Sequence, residues 1–324
     1  MRGIELTPDV PVSTLTNHTE RAAESGFDTV FLSHHYNNRD EFAALAAIAR
    51  EVDTVRLGPG IANPYETHPV TLASRMATLD ELSGGRGVFG LGPGDRSTLA
   101  NLGFSQDDAL RRVLETMQVS RKLWAGERVD HEGTFTANDA GLNYEAREIP
   151  VYVGAQGPHM TRMAAKYADG LLFNGSHPLD IEWAAERVEE GLEERADDVE
   201  FDFAAYASVS VASDRERARE AARPPVAFIT AGAPPPVLDR HDIDESRADE
   251  IRLALSGGEF SRGFEQVTER MLDAFCVAGR PETVTGRLDD LLDIADSVVV
   301  GAPLGPDVEE ALTLLDGSAL SDRT

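Results

Sequence analysis

The stretch Thr54-Val55-Arg56-Leu57-Gly58-Pro59-Gly60-Ile61-Ala62-Asn63-Pro64-Tyr65-Glu66-Thr67-His68-Pro69 decides the fold. A short run with β-branched residues enters a bend rich in glycine and proline, and a helical pattern follows from Val70 to Leu82. A strand that exits into such a bend marks a place where backbone, rather than side chain, approaches something. Two more exits of this kind follow: Gly92-Pro93-Gly94-Asp95 after Val88–Leu91, and Gly154-Ala155-Gln156-Gly157-Pro158 after Ile149–Val153. Together they point to one shared ligand site.

Outward from this stretch, strands and helices alternate. The pattern predicts strands at Gly3–Leu6, Thr29–Leu32, Val55–Gly58, Gly87–Leu91, Pro150–Val153, Gly170–Phe173, Phe203–Val211 and Ser297–Val300. Helical periodicity lies between them at Leu15–Glu24, Glu41–Glu51, Val70–Leu82, Ala109–Trp124, Met160–Tyr167, Ile181–Ala196 and Thr283–Ile294. Eight strand units of this kind make a (β/α)8 TIM barrel the expected fold, ahead of an open sheet. Two segments break the alternation. Gly126–Arg147 has turn signals around short apolar pieces and predicts an extra hairpin or long loop. Pro224–Cys276, between the seventh and eighth strands, is an insertion expected over the catalytic end. No fixed repeat and no long linker interrupts the chain, so residues 1–324 are expected to form one domain.

Composition narrows the function. The formal net charge is -27, with 57 acidic and 30 basic residues, which disfavours nucleic acid and anionic membrane surfaces as partners. Lys122 and Lys166 are the sole lysines. An acidic, lysine-poor surface is what a protein needs to stay hydrated in concentrated salt, where charges are screened within about 3 Å, so a halophilic source is expected. The single cysteine, Cys276, excludes an internal disulfide framework and a multi-cysteine zinc site. No apolar span of membrane length and no secretory hydrophobic region occur in the sequence, so a cytoplasmic location is expected.

In a barrel, the loops leaving the carboxyl ends of the strands share one face. That places Glu5, His34, His35, Asn63, Asp95, Arg96, Gln156, Asn174, Ser176, Tyr206 and Ser208 in one candidate pocket. Burial disfavours the ionised form of a carboxyl, which suits one at the end of the first strand to hold and donate a proton near neutral pH. The competing reading of Glu5 is an ion-paired residue of the barrel floor. For Gly154–Gly157, backbone N–H groups at the start of a helix offer a positive site for an anion, to which Arg162 adds charge. Adjacent histidines lack the spacing of a metal-binding pair, and no metal is expected.

The segments Gly3-Ile4-Glu5-Leu6, His35-Tyr36-Asn37-Asn38, Gly58–Pro69, Gly92–Asp95, Gly154–Pro158, Val237–His241 and Val298–Pro303 resemble the methylenetetrahydromethanopterin reductases. These are (β/α)8 barrels of the luciferase-like superfamily that use the deazaflavin coenzyme F420. The resemblance runs from the first strand to the last helix. It implies a non-prolyl cis peptide at Gly60-Ile61, forming a bulge behind the deazaflavin, and a cofactor phosphate loop at Gly154, Ala155, Gln156 and Gly157. It further implies Glu5 and His35 as catalytic residues, and His34, Gly60, Ile61, Asn63, Gly94, Asp95 and Asn174 at the cofactor. Family members generally carry an acidic residue just before the histidine; here that place is His34.

The activity implied is hydride transfer from reduced F420 to a methylene-tetrahydropterin, giving the methyl form, with Glu5 as the acid that opens the imidazolidine ring. The carrier is tetrahydromethanopterin or tetrahydrofolate, and a homo-oligomer, dimer or tetramer, is expected. Three alternatives stay open. The first is an F420-dependent dehydrogenase of an alcohol or other small substrate, with His35 as base. The second is a monooxygenase using FMN, and the third a barrel that binds without catalysis.

Overall fold

In the computed structural model of the chain, residues 1–196 and 199–315 are described. The first part runs β1 (Arg2–Leu6), α1 (Val12–Glu24), β2 (Thr29–Leu32), α2 (Glu41–Glu51), β3 (Arg56–Pro59), α3 (Pro69–Leu82), β4 (Phe89–Leu91), α4 (Arg96–Asn101) and α5 (Ala109–Trp124). A hairpin, β5 (Val129–Glu132) and β6 (Thr136–Ala140), precedes β7 (Val151–Ala155), α6 (Pro158–Tyr167), β8 (Gly170–Asn174) and α7 (Pro178–Glu193). Then follow β9 (Asp202–Val211), α8 (Arg215–Gly232), α9 (Pro235–Arg240), α10 (Glu245–Ser256), α11 (Phe260–Glu265) and α12 (Glu269–Phe275). The chain continues through β10 (Val277–Gly279), α13 (Pro281–Leu292), β11 (Ser297–Leu304) and α14 (Val308–Leu314). The alternation of β1–β4, β7–β9 and β11 with helices is that of the (β/α)8 class, as the sequence pattern predicts.

Contacts divide the chain into two units, one of Met1–Phe173 with Ala184–Ala204, the other of Asn174–Trp183 with the chain from Ala205 onward. In the first unit β1, β2 and β3 are parallel neighbours, with Glu5 opposite Phe31 and Phe31 opposite Gly58. Parallel pairs also join β4 to β7 and β7 to β8, and single bridges at Leu57–Gly87 and Ala62–Leu91 link the two sets. Strands covered on both faces read as continuous apolar runs, and Val30, Phe31 and Leu32 are fully buried. Between helices, Trp124 packs edge-on against Phe89 and donates to the Ala73 carbonyl at 2.9 Å. Arg86 ties the α2–β3 turn by donating to the Val52 carbonyl at 2.8 Å and to that of Val55.

The predicted extra hairpin forms as β5–β6, antiparallel with an irregular register. The carboxylate of Glu115 on α5 holds it, accepting from Thr134 N at 2.8 Å, Thr134 Oγ1 at 2.7 Å and Arg111 Nε at 2.6 Å. These bonds outweigh the effect of burial and draw the Glu115 carboxyl down to about 2.

In the second unit β9 neighbours β11, and β10 pairs with the end of β9, Val277 opposite Val209. The insertion starts differently from the sequence expectation. Pro224 and Pro225 lie inside α8 rather than opening a new segment. A proline removes one helical hydrogen bond and crowds the preceding turn, which tertiary packing can offset. Here Ala222 and Val226, on either side of the pair, are fully buried against Leu238, Ile251, Met271 and Leu272.

Candidate active site

Three strand exits of the first unit converge on one side chain. The Gly60–Ile61 peptide is cis, as the resemblance implies. Ile61 then lies where side chains at β4 and β7 would stand: a Cβ on Gly92 would come within 2.1 Å of Ile61 Cδ1, and one on Gly154 within 3.2 Å. The glycines at these exits therefore make room for Ile61 as well as for a ligand. Gly157 differs, because a Cβ there would meet nothing within 4 Å. Gly94 needs its missing side chain for two reasons, a φ of +74° and a built Cβ only 3.0 Å from Asn63 Cβ.

Gly157 is the N-cap of α6, with Pro158 in the first turn and no side chain capping the helix. The first-turn amides thus point outward from an uncapped helix start, an arrangement that attracts anions. Ala155 is buried, whereas Gln156 and Gly157 are exposed. The expectation for Arg162 fails. Its guanidinium turns to Glu194 and Glu190, away from any role as a free cation at the loop.

Glu5 stands at the end of β1, 6% exposed, and accepts a hydrogen bond from Thr7 Oγ1 at 3.3 Å. On the neighbouring exit, His34 is held between two carboxylates, Nδ1 to Glu41 at 2.8 Å and Nε2 to Glu66 at 3.1 Å. Burial opposes its charge, but the hydrogen bonds and charges of Glu41 and Glu66 prevail and lift the imidazole to about 9. It is therefore an imidazolium at neutral pH. Both ring nitrogens are engaged by protein, so His34 shapes the site through its neighbours rather than by donating to a ligand. His35, by contrast, is exposed.

Asn63 is buried and its amide is used locally, Oδ1 accepting from Tyr65 N and Glu66 N at 3.1 Å and Nδ2 donating to Glu66 at 2.9 Å. The bulge loop and His34 thus share one carboxylate, Glu66. Asp95 caps α4, with Oδ1 taking Thr98 N at 2.7 Å and the Ser97 and Thr98 hydroxyls at 2.5 Å. Its carboxyl lies below the usual range because these bonds, helped by the charge of His35, outweigh burial. Asn174 belongs to the second unit, exposed at the end of β8. In that unit Ser176 Oγ accepts from Ser208 N at 3.0 Å, and Tyr206 O accepts from Gly175 N at 3.1 Å.

Glu41 and Glu66 were not singled out from sequence. A spacing signal existed for one of them, since Asn63 and Glu66 sit three apart, as in a capped turn. For Glu41, at the start of α2, nothing local marks a partner for His34. Among the described residues, no group of three or more His, Cys, Asp or Glu is placed to hold a metal ion.

Against this geometry, comparisons with known proteins give the following. The model of the luciferase-like monooxygenase family matches residues 2–296. A 5,10-methylenetetrahydromethanopterin reductase of Archaeoglobus fulgidus is 40% identical over 320 residues, covering 97% of this chain and 96% of that one. An F420-dependent glucose-6-phosphate dehydrogenase of Nakamurella multipartita is 33% identical over 230 residues, 65% of this chain and 67% of that one. The solved structure of a coenzyme F420 dependent tetrahydromethanopterin reductase from Methanopyrus kandleri superposes with a TM-score of 0.89 at 37% identity, covering 97% and 96% of the two chains.

Proposed function

Because the chain belongs to the luciferase-like monooxygenase family and is similar over nearly its whole length to 5,10-methylenetetrahydromethanopterin reductases, we propose that it is a coenzyme F420-dependent oxidoreductase reducing a methylene-tetrahydropterin to the methyl form. The observation that carries this reading is the convergence of the β3, β4 and β7 exits on Ile61, which makes one apolar platform at the end of the sheet whose β1 carries Glu5. The residues fit a flat cofactor with an anionic tail. Ile61 offers the platform, Gly157 leaves open space beside it in the chain, and the uncapped start of α6 offers amides to a phosphate.

When bound, the reduced deazaflavin supplies a hydride. The chain supplies the proton. Glu5 donates it to a nitrogen of the imidazolidine ring of the substrate; the C–N bond opens with its electron pair left on that nitrogen, and the methylene carbon becomes an electrophilic iminium. Thr7 fixes one oxygen of the Glu5 carboxyl. His34, Glu41, Glu66 and Asn63 hold the bulge loop in place, and Asp95 fixes the start of α4.

The same reading extends to a cytoplasmic enzyme of a halophile that works as a homo-oligomer. Support for the salt adaptation is the 57 acidic residues against 30 basic, only two of them lysine. Its membrane independence is supported by the described helices, none of which is long and apolar enough to cross a bilayer. The carrier is tetrahydromethanopterin or tetrahydrofolate.

A second reading, a deazaflavin-dependent dehydrogenase with His35 as base, draws on the exposure of His35 and its electrostatic tie to Asp95. One experiment separates the two. Purified protein is loaded with reduced deazaflavin and followed by absorbance as each methylene-pterin is added. Oxidation that depends on one pterin is the expected result, whereas reduction of the oxidised cofactor by an alcohol or sugar phosphate, without any pterin reaction, favours the dehydrogenase.

A further inference from the structure

One row beyond Glu5, on the same face of the sheet, stands a buried hydroxyl that the catalytic reading does not use. Glu5 lies opposite Phe31, and Phe31 opposite Gly58. Past the ends of these strands, Ser33 N donates to the Leu6 carbonyl at 3.3 Å and Gly60 N to that of Leu32 at 2.8 Å, so the ladder continues. Side chains two apart on a strand point the same way, which makes Thr7, Ser33 and Gly60 the next row on the face of Glu5. Thr7 reaches back to Glu5, and Gly60 opens the cis peptide. Ser33 stands between them.

Ser33 is 8% exposed, and among the described residues its Oγ has no hydrogen-bond partner. The hydroxyls of Ser120 and Thr230 are also without one, but both lie in helices, α5 and α8, where a small rotation offers the carbonyl four residues back. Ser33 lies in extended chain, and the adjacent Leu32 carbonyl is already taken by Gly60 N. A buried hydroxyl without a partner costs stability, so its presence at a strand exit needs a reason. The backbone around it is pinned, at the Leu6 carbonyl on one side and by the His34 ring between Glu41 and Glu66 on the other. Rotation about χ1 remains, and it carries Oγ between staggered positions toward a ligand at the strand ends.

We propose that Ser33 binds the substrate of this site: its hydroxyl hydrogen-bonds a polar atom of the reduced pterin ring system close to the nitrogen that Glu5 protonates. Standard strand spacing sets Ser33 about 6–7 Å along the strand and about 4.8 Å across from Glu5, a separation that a fused pterin–imidazolidine system spans. A hydroxyl both donates and accepts, so it suits either an N–H or a carbonyl edge. Ile61 offers its apolar side chain to the cofactor, which leaves the polar row of Thr7 and Ser33 to the substrate. The identity of the ligand rests on the methylene-pterin reading given above.

The test titrates protein carrying oxidised deazaflavin, which has no hydride to give, with the methylene-pterin that the parent reduces, and follows binding by calorimetry. Ser33→Ala should weaken pterin binding by about 3- to 10-fold, the usual worth of one neutral hydrogen bond, and leave deazaflavin affinity at the parent value. Without ligands, Ser33→Ala should melt at or above the parent temperature, since no protein hydrogen bond is lost. Ser120→Ala, which removes a hydroxyl of the same kind from α5, should leave both affinities unchanged. A lower melting temperature in ligand-free Ser33→Ala, an unchanged pterin affinity, or a loss of deazaflavin affinity instead would each overturn the proposal and leave the reductase reading in place. A parent that binds no methylene-pterin would remove both.

Discussion

Replacing the imidazolium of His34 tests how the loops after β2 and β3 are held. In the folded protein the imidazole titrates near 9 rather than at its ordinary 6.5, because Glu41 and Glu66 together outweigh the cost of burial. A raised folded value means the stabilisation is fully present below about pH 6.5 and is lost as pH rises through about 9. A change of that size corresponds to at most roughly 3 kcal/mol. The side chain keeps 19% exposure, and solvent screening brings the expected figure to about 1–2 kcal/mol. For a chain of this length that is a shift in melting temperature of roughly 1.5–3 °C. His34→Gln keeps a polar side chain but cannot carry the charge. Melts of parent and variant, run from about pH 6 to about pH 10, should show the parent more stable at the acid end and the two converging above about pH 9. Parallel curves separated by a constant amount would mean that the Glu41–His34–Glu66 arrangement is not charge-stabilised, and the account of the bulge loop would need another support.

Three further outcomes follow from the same structure. Gly154→Val should lose about 1–3 kcal/mol of stability because its methyls enter the space of Ile61, whereas Gly157→Val should melt like the parent and bind deazaflavin more weakly; equal losses of stability would refute the distinction. Glu115→Gln should loosen the β5–β6 hairpin, and since the carboxyl is drawn down to about 2, the difference from the parent should be present above about pH 4.5 and fade as pH falls toward 2; local proteolysis of the hairpin checks this. With a net charge of -27, the parent should melt higher in molar potassium chloride than in dilute buffer, and an unchanged midpoint would argue against salt adaptation.

The strands were legible because barrel strands leave a distinctive trace. Thr29–Leu32 is observed as read, and the other seven lie within a few residues of their predicted bounds. What the residue pattern alone missed was short or long-range. β10, Val277–Gly279, is three residues long and exists because it extends the edge of the ten-residue β9. Pro224 and Pro225 signal a break locally, but the packing of Ala222 and Val226 keeps α8 continuous. At the site, glycine spacing located the three exits, and the resemblance supplied the cis bond at Gly60–Ile61. The reason for two of the glycines was invisible in one dimension, since Gly92 and Gly154 are more than thirty residues from the Ile61 they accommodate. The partnership of His34 with Glu41 and Glu66 likewise joins two loops that only the fold brings together.

The central claim, that Glu5 supplies the proton for reduction of a methylene-pterin, is tested most directly by single-turnover oxidation of reduced deazaflavin on parent and Glu5→Gln. The amide keeps the shape of the side chain and a partner for Thr7 but cannot give up a proton at neutral pH. Cofactor and pterin affinities, measured separately by titration, should stay close to the parent. The rate of the chemical step should fall by about 10² to 10⁴-fold, the usual contribution of a general acid. Hydride transfer at the parent rate in Glu5→Gln, with the same affinities, would contradict the claim and move the chemistry to His35.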